Sequence, residues 1–280
     1  MADLIQTLQH VLDSKDPLLP IETKRILLKE ILQGYVLDFL YNHPSYRRLN
    51  FYGGTCLRVV YGLNRLSEDL DFDNGAETDI SRLADDVLGL FQRSLGYAPA
   101  EVKSRQGENG ILRVTIKLPV LRALGLSPHP SEALHLKVEV SHHKQAAVIQ
   151  NTPVFYFGRS FVPSHFSLET MLAGKMIACL ERNFQRGREG AFIKGRDFYD
   201  LLWFMQRGVQ PLEEKLANDG KSPYTKRSAM LALKNKIADI STKDLAVDLL
   251  PMFESRPFIE SWLASFHANF ERYAADYLRA

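Results

Sequence analysis

GGTCLRVVYGLNRLSEDLDF, residues 53–72, joins a two-glycine turn to an acidic stretch. Asp69, Leu70, Asp71, Phe72 and Asp73 alternate acid and apolar, which predicts a strand. Alternate strand residues share a face, so Asp69 and Asp71 point one way and Leu70 and Phe72 point into a core. Two carboxylates side by side on a rigid strand repel. At roughly 4 Å the cost is about 4 kcal/mol for an effective dielectric of 20. A cation between them removes that cost. Oxygen-only ligands favour Mg²⁺ or Mn²⁺, with phosphate oxygens completing the shell.

An isolated D-x-D on an exposed strand is more often a solvated edge. The upstream Gly53-Gly54-Thr55 changes the reading. A small-residue turn opening a helix offers free backbone N–H groups to phosphate, and glycine permits close approach. Leu134–Ser141 (LHLKVEVS) also alternates and supplies a third carboxylate, Glu139, with Lys137 on the same face. If this strand neighbours 69–73, Glu139 joins Asp69 and Asp71. Three such carboxylates can hold two ions for in-line displacement at phosphorus. Ser67, two residues before Asp69, shares its face.

Outward from this stretch, helices are expected over 3–13, 22–42, 55–61 and 78–95, and strands over 69–73, 111–118, 134–141 and 154–157. After Pro163 the periodicity turns helical, over 167–185, 196–206, 224–239 and 257–278. A sheet-bearing first part and a helical second part predict an α+β fold in two lobes. The first, 1–163, is a mixed-sheet core with N-terminal helices, and the second, 164–280, is a helical lobe.

In the helical lobe Leu168, Leu172, Lys175, Cys179 and Arg182 fall on one helix stripe. A lysine centred on an apolar stripe needs an anionic partner or an exit to solvent. A triphosphate is one such partner, and Arg182 two turns on could serve the same anion. Asp197 and Asp200, at the start of the next helix, read by default as caps complementing the helix dipole. Trp203 and Trp262 read as core.

Composition limits the function classes. The 280 residues are 45% hydrophobic and 24% charged, which is globular rather than disordered, and no run is long enough to span a bilayer. The first residues carry acids and lack a secretory signal pattern. Cys56 and Cys179 form no zinc spacing and no disulfide framework, so a reducing cytoplasm is expected. The net charge of +2 hides a local excess, because residues 182–236 hold twelve basic side chains against six acids. That excess suits a polyanionic partner or a solvated helix face. No dinucleotide fingerprint, P-loop or nucleophile elbow is present.

The 53–72 segment resembles the signature of the AbiEii/AbiGii-type nucleotidyltransferase toxins, members of the polymerase-β-like nucleotidyltransferase superfamily. Gly53-Gly54-Thr55, Asp69/Asp71 and Val138-Glu139-Val140 follow the superfamily order of glycine turn, paired aspartates and later acidic strand. Lys175 with Arg182, in GKMIACLER, is similar to the third motif, and R-D-x-x-D-L at 196–201 to the fourth. The resemblance implies Mg²⁺-dependent transfer of a nucleoside monophosphate from an NTP, with pyrophosphate released. It implies metal ligation by Asp69, Asp71 and Glu139, and catalytic roles for Lys175 and Asp197. Gly53, Gly54, Thr55, Ser67, Lys137, Lys175, Arg182 and Asp200 are expected around the substrates. Thr55 stands where Ser is common, and its hydroxyl is expected to take the same phosphate contact. Which of Asp197 and Asp200 matters stays open. The implied acceptor is RNA, with the tRNA 3′ end foremost, so that translation is blocked, and the implied partner is an antitoxin on a separate chain. Rival readings are a small-molecule, antibiotic-type nucleotidyltransferase and a catalytically silent nucleotide- or RNA-binding module.

Overall fold

Leu70 and Phe72 are fully buried on β2 (Asp69–Asp73), while Asp69 and Asp71 stay part-exposed, so the alternation in the sequence becomes two faces of a sheet. The structure is a computed structural model and describes residues 3–107, 110–142, 146–182, 184–185 and 191–279.

The chain divides into two compact units, residues 1–144 with 150–165, and residues 145–149 with 166–280. In the first unit, α1 (Leu4–Asp13) and α2 (Ile21–Asn42) precede β1 (Asn50–Tyr52), which runs directly into α3 (Gly53–Tyr61). After β2 come α4 (Leu83–Gly89), β3 (Glu101–Gln106), β4 (Leu112–Leu118) and β5 (Leu134–Ser141). Four short strands follow: β6 (Ile149–Asn151), β7 (Val154–Tyr156), β8 (Arg159–Phe161) and β9 (Ser164–Phe166). The main sheet has seven strands in the order β3-β4-β5-β2-β1-β9-β6. It is mixed: β2 runs parallel to β5 and β1 parallel to β9, whereas β1–β2, β3–β4 and β4–β5 are antiparallel.

One face of this sheet is the core. Val114, Ile116, Leu136, Val138, Val140 and Phe51 are all fully buried, and Phe51 stacks on Phe72 at 5.3 Å. Each such side chain contributes roughly 1.5–3 kcal/mol when removed from water. Their alternates on β5, β4 and β2 form the opposite face, where the charged residues lie.

Several elements depart from expectation: two helices, Glu213–Asp219 and Thr242–Leu249, and the short strands β6, β8 and β9 are additional, and the helix expected over 167–185 ends at Glu181. The helix expected over 78–95 begins only at Leu83 and loosens into a π turn over Leu90–Ser94. Asn74 brackets Thr78, accepting from its N–H and donating to its carbonyl at 2.8 Å each, and Asp79 accepts from the Ser81 N–H. Side-chain bonds of this kind compete with helix and hold 74–81 as loop. The strand β3 is an edge strand of mostly exposed polar residues, so no alternation marks it.

The second unit is helical: α5 (Leu168–Glu181), α6 (Gly195–Gln206), α7 (Glu213–Asp219), α8 (Lys226–Ala238), α9 (Thr242–Leu249) and α10 (Arg256–Arg279). Ser167 caps α5 by accepting from the Thr170 N–H, and Thr225 with Ser228 forms a reciprocal cap on α8. Trp203 is buried, and Trp262 packs on Tyr199 at 4.9 Å, so both serve the core. Among the described residues no helix is long and apolar enough to cross a membrane.

Candidate active site

Asp69 and Asp71 project from the open face of β2, and pairing with β5 sets Asp71 opposite Glu139 and Asp69 opposite Lys137. The four residues therefore form two adjacent rows on one face. β1 brings Tyr52 opposite Asp71 on the other side. The Tyr52 phenol is pushed well above its ordinary value, first by burial and then by the charge of Asp71, with Asp73 and Glu139 adding. Asp73, although in the same alternation, is buried and accepts from Asn50 and from the Gly75 N–H, which shapes the turn after β2.

The glycine turn abuts these carboxylates. Gly53 has φ +81°, in the left-handed region, and a Cβ there would stand 2.5 Å from Asp71 Oδ2. A Cβ on Gly54 would stand 2.6 Å from the Arg65 guanidinium and 3.1 Å from Ser67 Oγ. The backbone at Gly53 therefore favours glycine, a Cβ at Gly54 would have to displace the buried Arg65 guanidinium, and the first turn of α3 lies against the acid face. Tyr52, at the N-cap of α3, makes no side-chain capping bond, and the first turn holds no acid. Backbone N–H groups and the positive end of the helix dipole face that end of the site.

Thr55, whose hydroxyl the resemblance assigns to phosphate, and Ser67 are both bonded within the fold. Thr55 is fully buried, and its hydroxyl bonds to the Asp69 carbonyl and to Ser67 Oγ at 2.8 Å. Ser67 is 6% exposed. These hydroxyls tie α3 to the start of β2. The small residues let α3 pack close, and their hydroxyls then satisfy the buried backbone there.

Two residues that no sequence pattern marked complete this support. Glu30 of α2 is 1% exposed and accepts from Arg58 Nε at 3.0 Å and from the Ser67 N–H at 3.2 Å. Gln33, one turn on, donates to the Ser67 carbonyl at 3.0 Å. The helix thereby holds the residue that feeds β2 by both its backbone groups. Glu30→Ala should cost about 3 kcal/mol, because it leaves the part-buried Arg58 guanidinium without this carboxylate. Glu30→Gln keeps the acceptor and should cost less. Urea denaturation of the two variants checks both values.

Glu139 Oε1 accepts from Arg113 Nε at 3.0 Å. Arg113 sits opposite Glu139 on β4, a position the sequence alternation made available but whose strand pairing it did not disclose. Among the described residues no three carboxylate, imidazole or thiol groups are placed tightly enough to hold a metal ion. The donors are nonetheless of the right kind. Asp69 and Asp71 are part-exposed hard oxygen donors on one rigid face, and Glu139 stands in register beside them, which fits a divalent cation of the Mg²⁺ or Mn²⁺ type.

In the second unit Lys175 lies between two buried acids, 2.7 Å from Asp197 Oδ1 and 2.9 Å from Asp200 Oδ2. Arg182, just past the end of α5, reaches Asp197 Oδ2 at 3.1 Å. Lys175 therefore does not exit to solvent, and both aspartates engage it. Asp197 and Asp200 are more than helix caps. Among the basic residues of 182–236, Arg196, Lys215 and Lys234 pair with acids, Lys236 bonds the Leu180 and Arg182 carbonyls, and Arg207 lies on Trp203. The surface excess in this region is smaller than the sequence count. His143, Arg186 and Arg188 lie outside the described residues.

The profile of the family described as nucleotidyl transferase AbiEii toxin, type IV TA system, matches residues 38–280. The chain belongs to that family. It is a nucleotidyltransferase of a toxin–antitoxin system, with a nucleotide substrate and an antitoxin partner. Two solved structures share the fold. One is a candidate nucleotidyltransferase from H. pylori, with TM-score 0.52 and 20% identity over 90% of this chain and 94% of that one. The other is JHP933 from Helicobacter pylori, with TM-score 0.52 and 19% identity over 91% and 93%. No curated protein sequence matches the chain.

Proposed function

We propose that this toxin transfers a nucleoside monophosphate from an NTP to the end of an RNA, with the tRNA 3′ end foremost, releasing pyrophosphate and so blocking translation. The observation that carries the reading is the pairing of β2 with β5. It puts Asp69, Asp71 and Glu139 on one open face beside the uncapped first turn of α3.

Asp69 and Asp71 are the residues to hold a divalent ion, with Glu139 joining once it exchanges Arg113 for the cation. Such an ion, when bound, neutralises triphosphate charge and activates the attacking hydroxyl. Gly53 and Gly54 allow phosphate to approach the backbone N–H groups of α3. The resemblance makes Lys175 a phosphate-binding cation, and Asp197 and Asp200 hold its ammonium in place. Arg182 shares Asp197 and adds a second positive charge.

The test is incubation of purified protein with Mg²⁺, each α-labelled NTP in turn, and total tRNA. Label entering RNA establishes the reaction and names the nucleotide. Label entering a small molecule or a protein instead would keep the metal site and discard the RNA acceptor. No transfer from any NTP would leave a binding module in its place.

A further inference from the structure

The open face of the sheet continues past the carboxylates, and its chemistry changes sign. The register carries one row from Asp71 through Glu139 and Arg113 to Arg105, and the next from Asp69 through Lys137 and Thr115 to Lys103. A third row adds His135, Lys117 and Glu101. The five cations Lys103, Arg105, Arg113, Lys117 and Lys137 face only Glu101 and Glu139 on these three strands. Lys103, Arg105 and Lys137 are exposed. Among the described residues no carboxylate or carbonyl partners Lys103, Arg105, Lys117 or Lys137, and Arg113 is held by Glu139.

Edge protection accounts for part of this. Lysine and arginine on an exposed edge such as β3 block strand-to-strand aggregation. That reason does not extend to Lys117 and Lys137, which lie on the interior strands β4 and β5. Nor does it explain Arg105 directly opposite Arg113, since like charges in a cross-strand pair destabilise the sheet. An external polyanion removes that cost. The strip crosses three strand spacings, about 14 Å from Asp71 to the edge.

We infer that the RNA acceptor runs across β5, β4 and β3, its phosphates on Lys137, Lys117, Lys103 and Arg105, and its end at Asp69 and Asp71. This rests on the RNA-acceptor reading above and specifies the path. Contacts to phosphate position a strand without reading its sequence, so this surface binds RNA with little sequence preference.

The experiment compares the wild type with Lys103→Gln/Arg105→Gln. Both side chains are exposed and make no ion pair with a described residue, so the fold is retained. Direct binding of a labelled tRNA, without NTP, is measured across a salt series, alongside binding of a fluorescent NTP analogue. The expected result is an RNA dissociation constant raised about tenfold, a salt slope shallower by about one unit per cation removed, and unchanged nucleotide binding. In labelled transfer, KM for RNA rises and kcat holds. Unchanged RNA affinity and salt slope in the variant overturn the proposal. So does an equal loss from Lys221→Gln/Lys226→Gln in the second unit, which would assign the effect to net charge. So does retained RNA binding with lost binding to an acidic protein, which would make the face a protein interface. If the wild type neither binds nor labels RNA, the acceptor reading itself fails and the path falls with it. Label entering RNA equally well in both proteins rejects the path alone.

Discussion

Asp71→Asn is expected to lower nucleotidyl transfer by about 10³-fold or more while leaving the chain folded. The amide has the size and shape of the carboxylate, so the close approach to Gly53 is preserved. What disappears is one negative charge at the centre of the acid face, opposite Glu139 and beside Asp69. Without added ion the substitution relieves the Asp69–Asp71 repulsion, so the variant should remain folded. With Mn²⁺ added, the wild-type unfolding midpoint should rise by mass action and that of the variant should not. Labelled transfer and a thermal scan with and without the ion check both halves. Transfer within tenfold of wild type, together with an intact ion-dependent rise, would remove Asp71 from the metal site. Adding Asp69→Asn should deepen the loss little, since residues acting as one unit are not additive.

The acid face was legible because strand alternation is a local signal. D-L-D-F-D states which residues share a face without any knowledge of neighbours. The pairing of β2 with β5 was not legible, being a parallel contact across 60 intervening residues, between Asp73 and Leu134. Glu139 could be named as a candidate, but its register against Asp71 came only from the fold. Arg113 was hidden for the same reason, since its meaning depends on facing Glu139 across a third strand. Glu30 was hidden differently. A glutamate in a helix reads as solvent-exposed, and nothing local shows that Arg58 and Ser67 will close over it. Thr55 shows the limit of motif reading. The sequence places a hydroxyl beside the glycines, and packing decides that it turns inward to β2.

The Lys175 cluster should show its character through stability as well as activity. Lys175→Met removes the ammonium shared by Asp197 and Asp200, whose side chains are 4% and 0% exposed. Breaking a buried ionic cluster by one member costs about 3–5 kcal/mol, which lowers the unfolding midpoint by on the order of 10 °C. The pH dependence follows from Asp197. Burial acts to raise its carboxyl, but the charges of Lys175, Arg182 and Lys194 more than reverse this and hold it well below the ordinary range. A depressed carboxyl stabilises the fold above its unfolded value of about 3.9, and that contribution fades as pH falls through the folded value. In Lys175→Met the depression shrinks, so the deficit against wild type is largest near neutrality and narrows towards acid pH. Thermal scans from neutrality down to about pH 2, across and below the unfolded value, measure this.

Stability and chemistry can then be separated with a second variant. Lys175→Met/Asp200→Leu removes both members of the more deeply buried pair and replaces them with apolar volume, which should restore most of the lost stability. Arg182 remains to hold Asp197 at 3.1 Å. On the proposal that the Lys175 ammonium binds phosphate, transfer should stay at least about a hundredfold down, because that charge is absent. If transfer returned together with stability, Lys175 would be a structural cation only.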